Sequence, residues 1–445
     1  MGYGQVKGRR PFERASKIAH AEILNNPDVQ AFVSGCVLPS PPETGQLDAL
    51  QKAVPDAERR IRSVIAVDGG MTEVPVRKEF PSASFSFMTF GPLLLDLRDL
   101  KELDRRPFIG PEDMARLKNL TRYSLPVPAK CIKAHGAASF SQGVRRTIHE
   151  FLTLKHKELG DALAWLLFRG WQTEGATSSW VVPRCPSSEC PGTDIKFGAG
   201  GPHEVKCDRC GGPVYLADAL RLYERIDEEQ GAGGVMAYLM STLEQLVLVH
   251  IIRTVLRVKP SLLREVLLVK DGPLAFFGVV APLRKPMQEL MSFLSDRDNG
   301  RPLICLIGLE KSGAFVEHAA LIEPALKPGH CLLLSNEYIY RYIQPGDVAG
   351  SPFGHNTYYG AKLIFKSARG DIYVATIPTR EPKAAPVMGD LMNGPEVLRV
   401  TAELRCSMYD HALIPVVLAN RLVSLADVPS SEILARFARA AVTAE

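Results

Sequence analysis

Two carboxylates and four thiols are the side chains in this 445-residue chain best spaced to do chemistry. Asp68 closes the run RSVIAVDGG and Asp271 closes REVLLVKDGPL, so each follows an apolar strand and precedes glycine. A carboxylate at the carboxyl end of a buried strand faces a cleft, where it stays partly solvated or meets a cation. Two such strands, distant in sequence but neighbours in a sheet, would bring two like charges together. A divalent cation relieves that repulsion. Asp-Gly also makes an ordinary turn, because Asp caps its own backbone and Gly takes positive φ. Each site read alone is a turn, and the pair becomes a metal site only with outside support.

Cys185, Cys190, Cys207 and Cys210 follow the spacing C-x4-C-x16-C-x2-C, each pair close to Gly or Pro. Tetrahedral zinc takes four soft ligands, and two tight turns presenting two thiolates each supply them. The segment between the pairs, PGTDIKFGAGGPHEVK, has the glycines and short apolar stretches of a small ribbon hairpin. Four protein ligands close the coordination sphere, so the expected zinc is structural.

The elements that must position these groups alternate between strands and long helices, which indicates α/β or α+β. Residues 11–35 and 44–60 read as helices leading into a strand at Ile61–Val67. The segment SASFSFMTFGPLLLDL alternates and then turns continuously apolar, as strands of a mixed sheet do. Pro111–Leu120 reads as a short helix opened by proline. Residues 141–172 form one long amphipathic pattern with Ile148, Phe151, Leu152, Leu163, Leu166 and Leu167 on an apolar stripe. Arg145, Arg146, Lys155 and Lys157 lie off that stripe, on a face expected to be solvated. A second helical stretch, 214–258, leads to the strand ending at Asp271. Further on come ICLIGLEKS, a strand and turn, and AKLIFKSARGDIYVATIP, a hairpin around Ala368–Asp371. The stretch PTREPKAAPVMGDLMNGP is a loop by its four prolines and two glycines, and a closing helix follows Pro429.

Composition excludes a disordered chain, since 46% of residues are hydrophobic and 23% charged. The formal charge of +4 is compatible with nucleic acid without requiring it. The most apolar stretch, LVLVHIIRTVL, is broken by His250 and Arg253, which argues against a membrane span. The N-terminus lacks an apolar signal-peptide core, and nine cysteines with four clustered fit a reducing compartment, so the expected location is cytoplasmic.

Read in order, VDGG at 67–70, VKDGPL at 269–274, LIGLEKS at 306–312 and YDHALIPVVLANRL at 409–422 resemble the NurA nuclease family. The resemblance spans roughly residues 60–425 apart from the cysteine module. It implies an α/β RNase H-like mixed sheet flanked by helices, with a small zinc-ribbon-like insert. On this reading the segments are an N-terminal helical part at 1–60, a nuclease domain at 61–425, the insert at 183–213 and a C-terminal helix at 426–445. The implied activity is a metal-dependent 5'-3' exonuclease and single-strand endonuclease on DNA, using manganese or magnesium. The implied partners are DNA, a HerA-type hexameric ATPase and a second copy of the chain, in DNA end processing or defence.

Carried over residue by residue, Asp68 matches the first metal-binding aspartate and Asp271 the second. Glu244, in MSTLEQLVLV, is the best match for a glutamate on the helix before the second strand, with Glu224 and Glu265 as alternatives. Glu265 lies six residues from Asp271 on the same strand, roughly 20 Å away at about 3.3 Å per residue, which argues against it. Lys311 matches a lysine after the third strand, where it would steady a phosphate. In the last motif the family's Tyr and distal His, aligned on Pro415, fall at Ala412 and Asn420. Tyr409 and His411 lie just upstream, and His411 is the candidate general acid or water-positioning group. The expected mechanism is two-metal phosphodiester hydrolysis. The competing expectation is a catalytically weakened DNA-binding or assembly subunit of the same ATPase complex.

Overall fold

The computed structural model describes residues 19–36, 38–76, 82–98, 122–172, 177–296, 300–346, 350–406, 412–425 and 430–442. The chain divides into two units, Met1–Ser40 and Pro41–Glu445. Within the first, helices Ala19–Asn25 and Pro27–Gly35 are separated by Asn26, whose side chain caps the second helix by accepting from the Asp28 amide at 2.9 Å. The expected helix at Pro111–Leu120 lies outside the described residues.

The second unit is built on a nine-stranded mixed sheet. Its strands, in chain order, are β1 (Lys52–Ala53), β2 (Ser63–Pro75), β3 (Ser84–Asp96), β4 (Tyr123–Lys130), β9 (Val266–Asp271), β10 (Cys305–Glu310), β11 (His330–Leu333), β12 (Gly360–Lys366) and β13 (Ile372–Pro378). Strands β5 (Ser179–Arg184), β6 (Thr193–Gly198), β7 (Glu204–Lys206) and β8 (Pro213–Tyr215) form two separate hairpins. The sheet order is β1-β11-β12-β13-β10-β9-β2-β3-β4. Its heart is an antiparallel meander β2-β3-β4 whose first strand runs parallel to β9, and β9 runs parallel to β10. That is the RNase H-like arrangement expected from the sequence.

The parallel strands are apolar up to Val67, Val269 and Leu309 because both faces are covered there. Leu268 of β9 and Leu306 of β10 face a core shared with helices Phe140–Glu150, Lys157–Leu167, Gly233–Val258 and Arg284–Leu294. Leu267, Val269, Cys305 and Ile307 face the opposite core, closed by helices Gly394–Glu403 and Ile414–Val423. Two buried faces per strand fix the register, since a slip of one residue would exchange the two cores. The Gly233–Val258 helix is long and apolar enough to cross a membrane by length and composition, but 78% of its most apolar window is buried within the protein.

Several sequence expectations need correction. Residues 141–172 are not one helix: the path loosens into a π-turn at Phe151–Lys155 and restarts at Lys157. The two pieces pack so closely that a methyl group at Gly160 would sit 2.1 Å from the Leu152 carbonyl oxygen. The apolar stripe itself is buried as expected. Arg145, expected on a solvated face, is 4% exposed and forms a fork with Asp218, Nε to Oδ1 at 2.8 Å and Nη2 to Oδ2 at 2.6 Å. Helical periodicity reports a face but not a partner 73 residues away. The 214–258 stretch is a strand end and two 3-10 turns before the helix begins at Gly233. The helix expected over 44–60 is Thr44–Leu50, and β1 follows it.

Candidate active site

Strands β2 and β9 are adjacent and parallel, with Ala66 beside Val269 and Val67 beside Lys270. One further step along this register sets Asp68 next to Asp271. Side chains alternate across a strand, so both aspartates share the face of Ala66 and Val269, on strands about 4.8 Å apart. The sequence expectation that two separated strands would bring these carboxylates together is therefore met.

The two Asp-Gly pairs are unlike each other. Gly272 has φ of 91° and makes a true turn that ends β9, its amide donating to the Leu309 carbonyl at 2.7 Å. Asp68, expected at a strand end, lies mid-strand, because β2 continues to Pro75 in unbroken register with β3. What ends there is its neighbour β9, so Asp68 stands where the sheet opens. Gly69 and Gly70 serve close approach and not a turn. A Cβ at Gly69 would lie 2.4 Å from Met240 Sδ and 3.0 Å from Glu244 Oε1. A Cβ at Gly70 would lie 2.3 Å from the Val423 carbonyl oxygen, at the end of the Ile414–Val423 helix. Met240 can swing aside, but a helix backbone cannot. Gly70→Ala is therefore expected to cost about 1–3 kcal/mol, more than Gly69→Ala, as read by urea denaturation.

The aspartates differ in environment. Asp68 is 3% exposed, with Oδ1 accepting from the Gly69 amide at 2.7 Å and Oδ2 buried without a partner among the described residues. Burial, then the charges of Asp271 and Glu244, push its carboxyl up to about 7, against a smaller opposing pull from Lys311. Asp271 is half-buried, and its Oδ2 accepts from Lys311 Nζ at 2.6 Å. Lys311 directly follows β10, so the third strand delivers it to this position.

Glu244 is buried on the Gly233–Val258 helix and approaches β2 from the side of Gly69, opposite to the side of Asp68. Its Oε2 accepts from Lys270 Nζ at 2.9 Å, and the same ammonium donates to the Asp271 carbonyl at 2.7 Å. Burial raises the Glu244 carboxyl, and Lys270 opposes that rise. Lys270 was not singled out from the sequence, although a lysine inside VLLVKDG was a visible signal that a buried anion waits for it. Of the alternatives, Glu224 is engaged with Arg221 at 2.6 Å, and Glu265 sits by Arg62 at the start of β9, far from Asp271.

Beside Lys311 opens a cavity of about 410 Å³ whose lining includes Glu310, Lys311, Ala412, Asn420 and Arg421. The two positions where the family motif would carry Tyr and His thus line the same cleft as Lys311. Glu310 pairs with Lys362, a buried lysine held 3.8 Å from the Phe315 ring centroid. Tyr409 and His411 lie outside the described residues.

Among the described residues, the four cysteines are the one group of three or more His, Cys, Asp or Glu side chains close enough to share an ion. Cys185 and Cys210 sulfurs are 3.7 Å apart and those of Cys190 and Cys207 are 3.8 Å apart. Each cysteine pair is the turn of its own hairpin, β5-β6 or β7-β8. The expected hairpin within the intervening segment is corrected accordingly: β6 pairs backward and β7 pairs forward. Amides of Gly192 and Gly212 donate to Cys190 and Cys210 sulfurs, each at 3.4 Å.

No protein-family profile matches the chain, and no curated protein does. Among solved structures it is similar to the NurA nuclease from Sulfolobus solfataricus, at 8% identity over 96% of this chain and 95% of that one, with a TM-score of 0.35. It is also similar to a second NurA structure, at 10% identity over 96% of both chains and a TM-score of 0.30. A NurA structure with manganese follows at 12% identity, 88% of this chain, 92% of the other and a TM-score of 0.28. Superpositions this loose leave the chemistry to be read from the side chains.

Proposed function

We propose that this chain is a metal-dependent deoxyribonuclease in which Asp68 and Asp271 hold the catalytic cation. The observation that carries this reading is the pair of aspartates on neighbouring parallel strands, one with a buried carboxylate oxygen that no described residue satisfies. An anion buried at such cost is stable when a cation completes it. Carboxylate oxygens are hard donors, which fit manganese or magnesium. When bound, divalent ions acidify a water and neutralise charge on a scissile phosphate, in the two-metal scheme of nucleases.

The chain's own residues have distinct parts in this reading. Asp68 and Asp271 bind the cation, and Glu244, held by Lys270, supplies the negative field behind them. Lys311, half exposed and hydrogen-bonded to Asp271, is placed to meet a phosphate oxygen entering the cleft. Asn420 and Arg421 border the cavity that a DNA strand would enter. His411 remains the proposed general acid. The four thiolates are proposed to hold structural zinc. The resemblance adds a HerA-type hexameric ATPase and a second copy of the chain as partners.

A second reading, a subunit that binds DNA or the ATPase without cutting, is favoured by one observation: Ala412 and Asn420 occupy the cleft where Tyr and His were expected. One assay separates the two. Purified protein is incubated with end-labelled single- and double-stranded DNA and manganese, with and without the ATPase. Digestion is the expected result, and binding without digestion in both settings would assign the chain to the second reading.

A further inference from the structure

At the opposite end of the parallel strands from Asp68 and Asp271 lies a cavity of about 520 Å³ that the nuclease reading does not use. It is lined by Trp165, Trp171, Phe293, Arg253, Arg257 and Ser261, among others. Arg257 is thirteen residues beyond Glu244 on one helix, so it stands about 20 Å from the carboxylates at 1.5 Å per residue.

From its lining we infer that this cavity binds a nucleotide unit, a base stacked on the tryptophans with its phosphate on the arginines. Three rings form one aromatic wall: Trp165 and Trp171 have centroids 5.0 Å apart at 64°, and Trp171 and Phe293 are 6.4 Å apart at 57°. Trp171 is 9% exposed, yet its Nε1 has no acceptor among the described residues. A buried indole N–H without an acceptor is costly, and a ligand ring nitrogen or carbonyl would satisfy it. The opposing wall is cationic. Arg253 is held only loosely, 3.4 Å from Asp161, and Arg257 is exposed at the cavity rim. Among the described residues Asp161 is the one acidic partner of these two arginines, which leaves the described rim positive. The volume lies in the range of small-molecule sites. Aromatic platforms beside arginines are how proteins take single bases without reading sequence.

The occupant carries a base and a phosphate whether it is a free mononucleotide or the end of a DNA strand. Binding at this cavity does not depend on whether the distant carboxylates cut DNA. The test therefore uses full-length Asp68→Asn protein, which would not consume its probe. Two of the three tryptophans line the cavity, so their fluorescence reports its filling. Deoxyadenosine monophosphate is expected to quench fluorescence saturably, and inorganic phosphate is not. The Arg253→Ala/Arg257→Ala double variant should bind at least about ten-fold more weakly, with calorimetry as the second readout. Tighter binding of a short oligothymidylate than of the mononucleotide would place a strand end in the cavity, whereas the reverse would place a free nucleotide there. Absence of saturable binding of either probe at millimolar concentration would overturn the inference. So would equal affinity in the double-arginine variant.

Discussion

Replacing Asp68 by Asn is expected to lower divalent-dependent DNA digestion by on the order of a thousand-fold, because charge stabilisation at the reacting centre is usually the largest catalytic contribution. The same substitution should make the metal-free protein more stable above neutral pH. Asn keeps an oxygen for the Gly69 amide but removes an ionisable group whose carboxyl stands at about 7, against an ordinary 3.8. A folded-state carboxyl raised this way binds its proton more tightly than the unfolded chain does. Folding stability is then fully present near pH 4 and falls as pH rises toward about 7. A rise of that size corresponds to about 2–4 kcal/mol once solvent relaxation is allowed for. Urea denaturation in the presence of chelator should therefore show the variant and the parent alike near pH 4 and the variant ahead at pH 8. Added manganese should narrow the gap at pH 8, since it binds the folded parent and not the variant. Asp271→Asn should also abolish digestion, and by removing one of the charges that raise Asp68 it should flatten the parent's loss of stability. Retained digestion in both variants would exclude the catalytic assignment. Equal stability at both pH values would show that Asp68 is not strained by burial.

Parts of this arrangement could be read from sequence because they depend on short-range pattern. Two apolar runs each leading into Asp-Gly could be read as buried strands that would bring Asp68 and Asp271 together if they were neighbours in one sheet. Four cysteines in two tight pairs had to meet because each pair is a local turn. Other features depend on packing that no window of residues contains. Asp-Gly at 68 and Asp-Gly at 271 carry the same local signal, yet one is mid-strand and the other a turn. The difference is made by β3, which continues to pair with β2 after β9 has stopped. Gly69 and Gly70 looked like turn residues and prove to be contact points for two helices from distant parts of the chain. Arg145 looked solvated because periodicity cannot show Asp218. Lys270 is the clearest omission, since a cation in a buried strand requires a buried anion, and Glu244 was already a candidate.

Removing the zinc proposed for the cysteine module is expected to unfold more than the module. A sulfur tetrahedron around zinc, at about 2.3 Å per bond, has edges of about 3.8 Å, and the observed separations are 3.7 and 3.8 Å. The module is not a free appendage: Val182, Phe197, Val214 and the sulfur-bearing Cys185 and Cys207 belong to the same buried core as the Gly233–Val258 helix. Loss of the ion would leave four thiols crowded together, two of them, Cys185 and Cys207, within that core. In the metal-free cluster the Gly212 amide draws Cys210 down to about 7, while burial pushes Cys185 up to about 12. Zinc binding must therefore release protons, and affinity should rise steeply between about pH 6 and 8. Elemental analysis is expected to give about one zinc per chain, and Cys185→Ser or Cys210→Ser should lose it. Because structural zinc contributes directly to folding, a strong chelator or either variant should lower Tm by on the order of 10 °C or more. Asp68→Asn should keep its zinc in full, which separates the two metal sites within one measurement. Zinc-free protein with an unchanged Tm would show that the four thiols pack without an ion. Zinc that followed Asp68 and not the cysteines would move the metal to the cleft and leave the ribbon without its proposed role.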